Sequence, residues 1–452
     1  MKRANDLGRD KVFSLVIKLA IPSMIAQMVN VLYSIVDRIY IGNIPLIGDV
    51  ALAGVGVCGP IVALLTSFGT LVGIGGSILM ATKMGENDEA QAKQILSNSF
   101  YLLIFFAVTM TILFMLIKSN LLLWFGASDV TFGYANTYLT IYTLGTIFSM
   151  LAIGLNYFIT CQGFSVVAMV SVISGAVSNI ILDFIFIFKF EWGIAGAAWA
   201  TVASQILSFV LVVSFLFGKK IHIKITHQKF SFDIVKKIIS IGLSPFLILA
   251  TDSIIIIIMN TVLQKHGGAE MGDLLISCAT IIQSYMMLVT GPMLGITGGT
   301  QAIISYNYGA RNVDRVKKAQ KYIFIITISY CTIMFFVSRF LPQYFVSIFT
   351  QSDATLKLSV WGIRTFTLAV IPLSFQYVIV DSMTALGKAK IALFLSLFRK
   401  SLYVIFMVVL PMFFIPQSTF FAEPMADMIG SITSVIIFTI VFEKHLAQRA
   451  IS

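Results

Sequence analysis

The sequence predicts an all-α integral membrane protein, with twelve transmembrane helices in two six-helix lobes related by pseudo-twofold symmetry. Three observations predict it. The 452-residue chain is 58% hydrophobic and 11% charged, with a mean hydropathy of +0.94, too few charges for a soluble domain of that size. Apolar runs of roughly twenty residues or more recur from end to end, each long enough to cross a hydrocarbon core as a helix, and the short alternating strands of a membrane barrel do not appear. The second half also repeats the first. A slide of 224 residues superposes Gly75 on Gly299, Gly85 on Gly309, Lys93 on Lys317, Ser128 on Ser352, Asp129 on Asp353 and Gly163 on Gly387. A slide of 223 superposes Pro22 on Pro245 and Asp37 on Asn260.

The spans are expected near 12–41, 50–83, 94–118, 131–158, 165–189 and 193–218, then near 234–264, 273–304, 317–340, 356–383, 390–415 and 423–443. The first follows a short polar run, Met1 to Lys11; it is too long for a signal peptide and no small-residue cleavage site follows it, so it reads as retained. Pro22 lies inside it, removes a backbone hydrogen bond and bends the helix, which makes it the candidate hinge. The second span carries the glycine run Gly69 to Gly76, and the eighth carries its partner Gly295 to Gly299, suited to close helix packing or local unwinding. Residues 219–233, KKIHIKITHQKFSFD, form the longest polar stretch. They divide the chain into an N-terminal lobe (1–218), a cytoplasmic linker (219–233) and a C-terminal lobe (234–452). Six spans per half is an even number, so the halves insert the same way up as a parallel repeat. Two lobes in one chain make a monomer sufficient.

The net charge of +11 reports orientation rather than a nucleic-acid partner. An even number of spans puts both termini on one side. If that side is the cytoplasm it holds 24 of the 31 Lys and Arg, or 22 if Arg399 and Lys400 lie inside a span, which is the positive-inside pattern. Lys219, Lys220, Lys224 and Lys229 could meet anionic lipid heads. Cys58, Cys161, Cys278 and Cys331 form no C-x-x-C pair and read as small apolar residues. The four histidines sit in loops or at span ends, away from any intramembrane haem or catalytic metal. No phosphate-loop motif and no paired catalytic motif is present, so neither ATP hydrolysis nor another enzymatic activity is expected. No cofactor is expected beyond a coupling ion.

Charged side chains at membrane depth are costly and mark ion or substrate paths. Asp37 stands about 30 Å along the first span. Asn179 and Asp183, spaced i, i+4 on one face of the fifth span, stand about 21–27 Å along it. Thr201, in the sixth span, lies about 12 Å below the far surface. Tyr33 precedes Asp37 by one turn and faces the same way. These oxygens make a hard site for Na⁺, with Asp37, Asn179, Asp183 and Thr201 as metal ligands, or for a proton held on a carboxyl group. In the alternative, Asp37 pairs with Arg38 and Asp183 only bonds Asn179. In the repeat, Asn179 and Asp183 fall on Tyr403 and Met407, so the first half alone is expected to keep its buried acids.

The segments IP at 21–22, YSIVDRIYIG at 33–42, GIGGSILMATKMGENDEAQAK at 73–93, SNIILDFIFIF at 178–188, GIAGAAWATVASQ at 193–205 and GITGGTQAIISYNYGARN at 295–312 together resemble the multidrug and toxic compound extrusion (MATE) transporters, over about residues 12–443. The resemblance implies a prokaryotic inner-membrane antiporter that exports organic cations in exchange for Na⁺ or H⁺. It implies a central role for Asp37, with Asn179, Asp183 and Thr201 beside it and Pro22 as the bending proline. Asp252, Met286, Met287, Phe68 and Phe375 are candidates for the substrate cleft, since acidic, soft and aromatic side chains suit amphipathic cations. Asp252 has no charged neighbour in sequence, and Asp381, Arg399 and Lys400 either form a second-lobe polar network or mark span ends. A lipid-linked sugar flippase of the same superfamily is the second reading; it needs a cationic cleft to hold pyrophosphate. Expected partners are small-molecule organic cations and membrane lipids, with no nucleic acid.

Overall fold

The computed structural model describes residues 5–350 and 352–451, with side chains at all of these except 49, 253, 269–270, 273 and 447–451. Residues 1–4 of the polar N-terminal run lie outside it. Apolar run length sets the helices: α1 Val12–Gly42, α2 Gly48–Gly85, α3 Glu89–Trp124, α4 Phe132–Thr160, α5 Ser165–Asp183 and α6 Gly193–Phe217. The second set is α7 Phe232–Gly268, α8 Leu274–Gly309, α9 Val313–Phe340, α10, α11 Ala389–Phe413 and α12 Ala422–Ile451. The left-handed backbone at Gly268 (φ 64°) separates α7 from α8. Among the described residues, eleven helices are long and apolar enough to span a membrane, and α10 supplies the twelfth as a bent pair, Asp353–Phe366 and Val370–Ala385, at 51°. Pro372 sits in the first turn of the second segment and offers no N–H to the Leu368 carbonyl, which favours a break there.

The repeat is written in backbone conformation as well as in sequence. After α2 and α8 the chain turns through left-handed residues at the equivalent positions Asn87 (φ 59°) and Arg311 (φ 58°). The next residues, Asp88 and Asn312, cap α3 and α9 by accepting from the amides of Gln91 and Arg315. Gly163 (φ 85°) and Gly387 (φ 73°) close α4 and α10 in the left-handed conformation that glycine adopts at least cost. All three pairs obey the 224-residue slide.

Glycine governs how closely the lobes approach. Around the pseudo-twofold axis α2 crosses α8 in two equivalent contacts: Gly85 against Tyr306 and Ala310, and Gly309 against Thr82. A methyl group on Gly85 would stand 2.9 Å from the Ala310 nitrogen, and one on Gly309 would stand 3.0 Å from the Thr82 Cα, each with a backbone oxygen closer still. Gly75 and Gly242 make a similar approach between α2 and α7, as Gly295 does with Ser23 and Met24 of α1. These contacts lie in the half of the bundle nearest the chain termini. The N-terminal segment adds to the closure there. Asn5 donates to the Gly163 carbonyl in the first lobe, at 3.0 Å. The Leu7 carbonyl accepts from Asn307 and Arg315 in the second, at 3.0 Å each.

The inter-lobe segment folds onto the first lobe. Asn98 of α3 donates to the Lys229 carbonyl at 3.1 Å and accepts from the Ser231 amide at 2.8 Å; Gln162 holds Ile223 through both backbone groups.

Helix α1 runs unbroken through Pro22. The proline withdraws the donor that the Lys18 carbonyl would otherwise receive, and the hydroxyl of Ser165, first residue of α5, donates to that oxygen at 2.8 Å. The Pro22 turn of α1 is thereby tied to the start of α5. Ser165 is 1% exposed, so Ser165→Ala strands a buried carbonyl and is expected to cost about 1–3 kcal/mol, read as a lowered midpoint in thermal unfolding of the purified protein; an unchanged midpoint would show the bond to be dispensable.

Candidate functional site

Three helices bring the predicted first-lobe residues together. Asp37 comes from α1, Asn179 and Asp183 from α5, and Thr201 from α6. The i, i+4 spacing puts Asn179 and Asp183 on the buried face of α5, where they are 1% and 0% exposed. Asp183 is the last α-helical residue of its helix. The chain continues as a π-helical turn, Phe184–Lys189, whose Phe190 amide donates to the Ile185 carbonyl five residues back. Such turns are rare and recur at functional sites. Gly196 allows α6 to lie against this turn, since a methyl there would stand 2.8 Å from the Phe186 carbonyl group.

Asn179 Nδ2 donates to Thr201 Oγ1 at 3.5 Å, and Thr201 donates to the Ala197 carbonyl at 3.1 Å. Asp37 and Asp183 stand within hydrogen-bonding reach of each other, so one proton between them would form a bond that two carboxylates cannot. No ion pair joins Asp37 to Arg38 among the described residues. With the acids ionised, four buried oxygens have no donor: Asp37 Oδ1, Asn179 Oδ1 and both carboxylate oxygens of Asp183. Buried polar atoms are almost always satisfied. Two carboxylates held this close in a buried site repel each other, which disfavours both being ionised at once. The arrangement therefore has the donor set and the electrostatic strain to take up a small cation, whether H⁺ or Na⁺.

Tyr33 lies beside Asp37 and Tyr142, as its spacing predicts. Two tyrosines of α4, which the sequence alone does not single out, close the site. Tyr138 reaches Thr201 and lies near Asp37; Tyr142 stacks on Tyr138 with ring centroids 6.3 Å apart and accepts from Gln205 at 3.3 Å. Their i, i+4 spacing in the fourth span was the available signal.

The second lobe corrects the expectation that the first half alone keeps buried acids, since Asp427 of α12 is 1% exposed. Arg399 and Lys400 are not span ends; they lie inside α11, 9% and 5% exposed. Lys400 donates to Asp252 of α7 at 2.6 Å, to Thr251 at 3.0 Å and to the Ile248 carbonyl. Asp252 thus has a charged partner that its sequence neighbours did not reveal, and 55% of its side chain stays exposed. Arg399 Nη1 donates to Asp427 at 2.6 Å and Glu423 at 3.2 Å, both on α12. Asp381 stands apart from this network and points toward Thr297 and Gln301 of α8.

The proposed cleft residues do not form one surface. Met286 is packed into the second-lobe core with Ile282 and Val289, so it is a core residue, whereas Met287 is 45% exposed. Phe68 bridges the lobes against Phe246 at 4.8 Å, and Phe375 packs on Phe324 at 5.6 Å.

The MatE family model matches residues 22–185 and 246–410, one match in each lobe. The multidrug export protein MepA of Staphylococcus saprophyticus is 22% identical over 418 residues, covering 91% of this chain and 89% of that protein. A solved structure of MATE in complex with MaL6 superposes with a TM-score of 0.91 at 22% identity over the whole of both chains. A second, described as an outward-facing conformation of a multidrug resistance MATE family transporter of the MOP superfamily, superposes with a TM-score of 0.90 at 23% identity, again over the whole of both.

Proposed function

This chain belongs to the MatE family, and from that membership we propose that it is a multidrug antiporter of the prokaryotic plasma membrane, exporting amphipathic organic cations by alternating access in exchange for Na⁺ or H⁺. Both termini face the cytoplasm in this reading, as the basic loops suggest. The observation that carries it is the set of donorless oxygens on Asp37, Asn179 and Asp183. An ion entering from outside relieves the repulsion between the two acids and lets α1 and α5 pack more tightly. Pro22 of α1, tied to α5 through the Ser165 bond, offers a place for that change to become a bend. Substrate leaves through a cleft open on the side away from the termini; return of the lobes releases the ion inward. An exchanger of this kind needs only that ion and substrate favour different packings of the same helices.

The relatives' names support small organic molecules as cargo. The flippase reading gains nothing from the second-lobe bases, because Arg399 and Lys400 are each answered by acids and leave no free cationic surface for pyrophosphate.

The test is efflux of ethidium from vesicles containing the protein, driven in turn by an imposed Na⁺ gradient and an imposed pH gradient. One gradient alone should drive efflux, which names the ion. Dye levels independent of both gradients would contradict an antiporter.

A further inference from the structure

The second lobe carries a site on α7, α11 and α12, the counterparts of the α1, α5 and α6 that build the first-lobe site. Its charges divide into two groups. Lys400 is matched one to one by Asp252. Arg399 is shared by two acids, Glu423 and Asp427, whose side chains are 12% and 1% exposed. One guanidinium therefore faces two carboxyl groups in a nearly dry interior, where an uncompensated charge is strongly unfavourable.

The fold is shaped to hold this arrangement. Gly430, one turn below Asp427, leaves room for Arg399: a methyl there would stand 2.9 Å from Arg399 Cγ. Tyr377 of α10 lies under the guanidinium, 5.9 Å from ring centroid to carbon. Tyr403 of α11 turns its hydroxyl to Met259 of α7 at 3.5 Å. Ser431, i+4 from Asp427, is 3% exposed and its hydroxyl has no partner. Glu423 opens α12 in its first turn, so the cluster reaches the end of the bundle away from the chain termini. A metal cation is the poorer way to balance the charge, because Arg399 Nη1 already occupies the space between the two acids. Among the described residues no group of three His, Cys, Asp or Glu is placed to hold one.

We propose that the second lobe binds a proton of its own, shared by Glu423 and Asp427 beneath Arg399, at a site separate from the first-lobe acids. Its use in coupling rests on the export reading above; its existence does not. The proton has an outer entrance at Glu423 and, if it is exchanged during transport, adds one H⁺ per cycle to whatever ion the first lobe carries.

The experiment is infrared spectroscopy of the full chain in lipid at neutral pH, following the C=O stretch of protonated carboxyl groups. The wild type should show a band that survives in the Asp37→Asn, Asp183→Asn double variant and is lost in both Glu423→Gln and Asp427→Asn, because either substitution leaves one acid for one arginine. Arg399→Gln should strengthen it, since both acids then need a proton. Should Arg399→Gln not fold, the two near-isosteric acid variants still decide. A band unchanged in Glu423→Gln and Asp427→Asn, or absent from the wild type, overturns the proposal. Normal efflux in Asp37→Asn with this band behaving as expected would show that the export reading has failed; loss of efflux in Asp37→Asn with a band indifferent to Glu423→Gln and Asp427→Asn would show that this proposal has.

Discussion

Asp37→Asn is expected to reduce drug efflux to the background of cells lacking the protein, while folded protein accumulates in the membrane at its normal level. The carboxylate is the first-lobe group that faces the second acid, Asp183, across the site. Replacing it with an amide removes the repulsion that ion binding relieves and leaves the helices with one packing preference in place of two. A ligand that no longer distinguishes two states cannot shift them, however tightly it binds. Stability should hold or rise, because one of two crowded buried acids is gone. Asp183→Asn should give the same loss of efflux for the same reason. Full drug resistance in cells carrying Asp37→Asn would remove this residue from the mechanism.

Gly85→Ala and Gly309→Ala should disable the closed end of the bundle. At each position a methyl group would meet the backbone of the opposite lobe inside van der Waals contact, and backbone cannot step aside as a side chain can. Because the two contacts are equivalent about the pseudo-twofold axis, either substitution forces the same separation of α2 from α8. Overpacking of this kind costs about 1–3 kcal/mol, enough to move a two-state equilibrium by one to two powers of ten. The expected result is a conformational bias with export slowed at least tenfold. A single cysteine placed on the Asn307 side of the seam, in a background without the four native cysteines, should become accessible to a membrane-impermeant thiol reagent from the terminal side. Unchanged labelling together with normal efflux would show that the seam yields more easily than its geometry suggests.

Much of the fold was legible because the hydrocarbon core dictates span length, and the ends of apolar runs fall close to the ends of helices. The slide of 224 residues predicted more than the number of spans: it also picked out the equivalent turns at Gly163 and Gly387. The bend within α10 was less visible, since Pro372 lies in a run that is apolar on both sides. In the first lobe, depth along each helix brought Asp37, Asn179, Asp183 and Thr201 to one level, where the structure has them meet. Tyr138 and Tyr142 escaped notice because a tyrosine in a span is ordinarily packing or interface, and nothing in one sequence says which face of α4 meets α6. The second-lobe network was obscured for another reason. Glu423 and Asp427 lie at the start of a span and so resembled its polar boundary, yet Arg399 and Lys400, deep in the preceding span, each required an acidic partner.

Coupling of an ion to export by the first-lobe acids can be read from the organic-cation affinity of the purified protein, measured against pH and against Na⁺ concentration in the wild type and in Asp37→Asn. Ion and substrate that favour different states must weaken each other's binding by equal factors. The wild type should bind substrate more weakly as one of the two ions rises, and Asp37→Asn should show a flat profile for that ion. A wild-type affinity indifferent to both ions, or a dependence that survives intact in Asp37→Asn, would contradict ion coupling at Asp37.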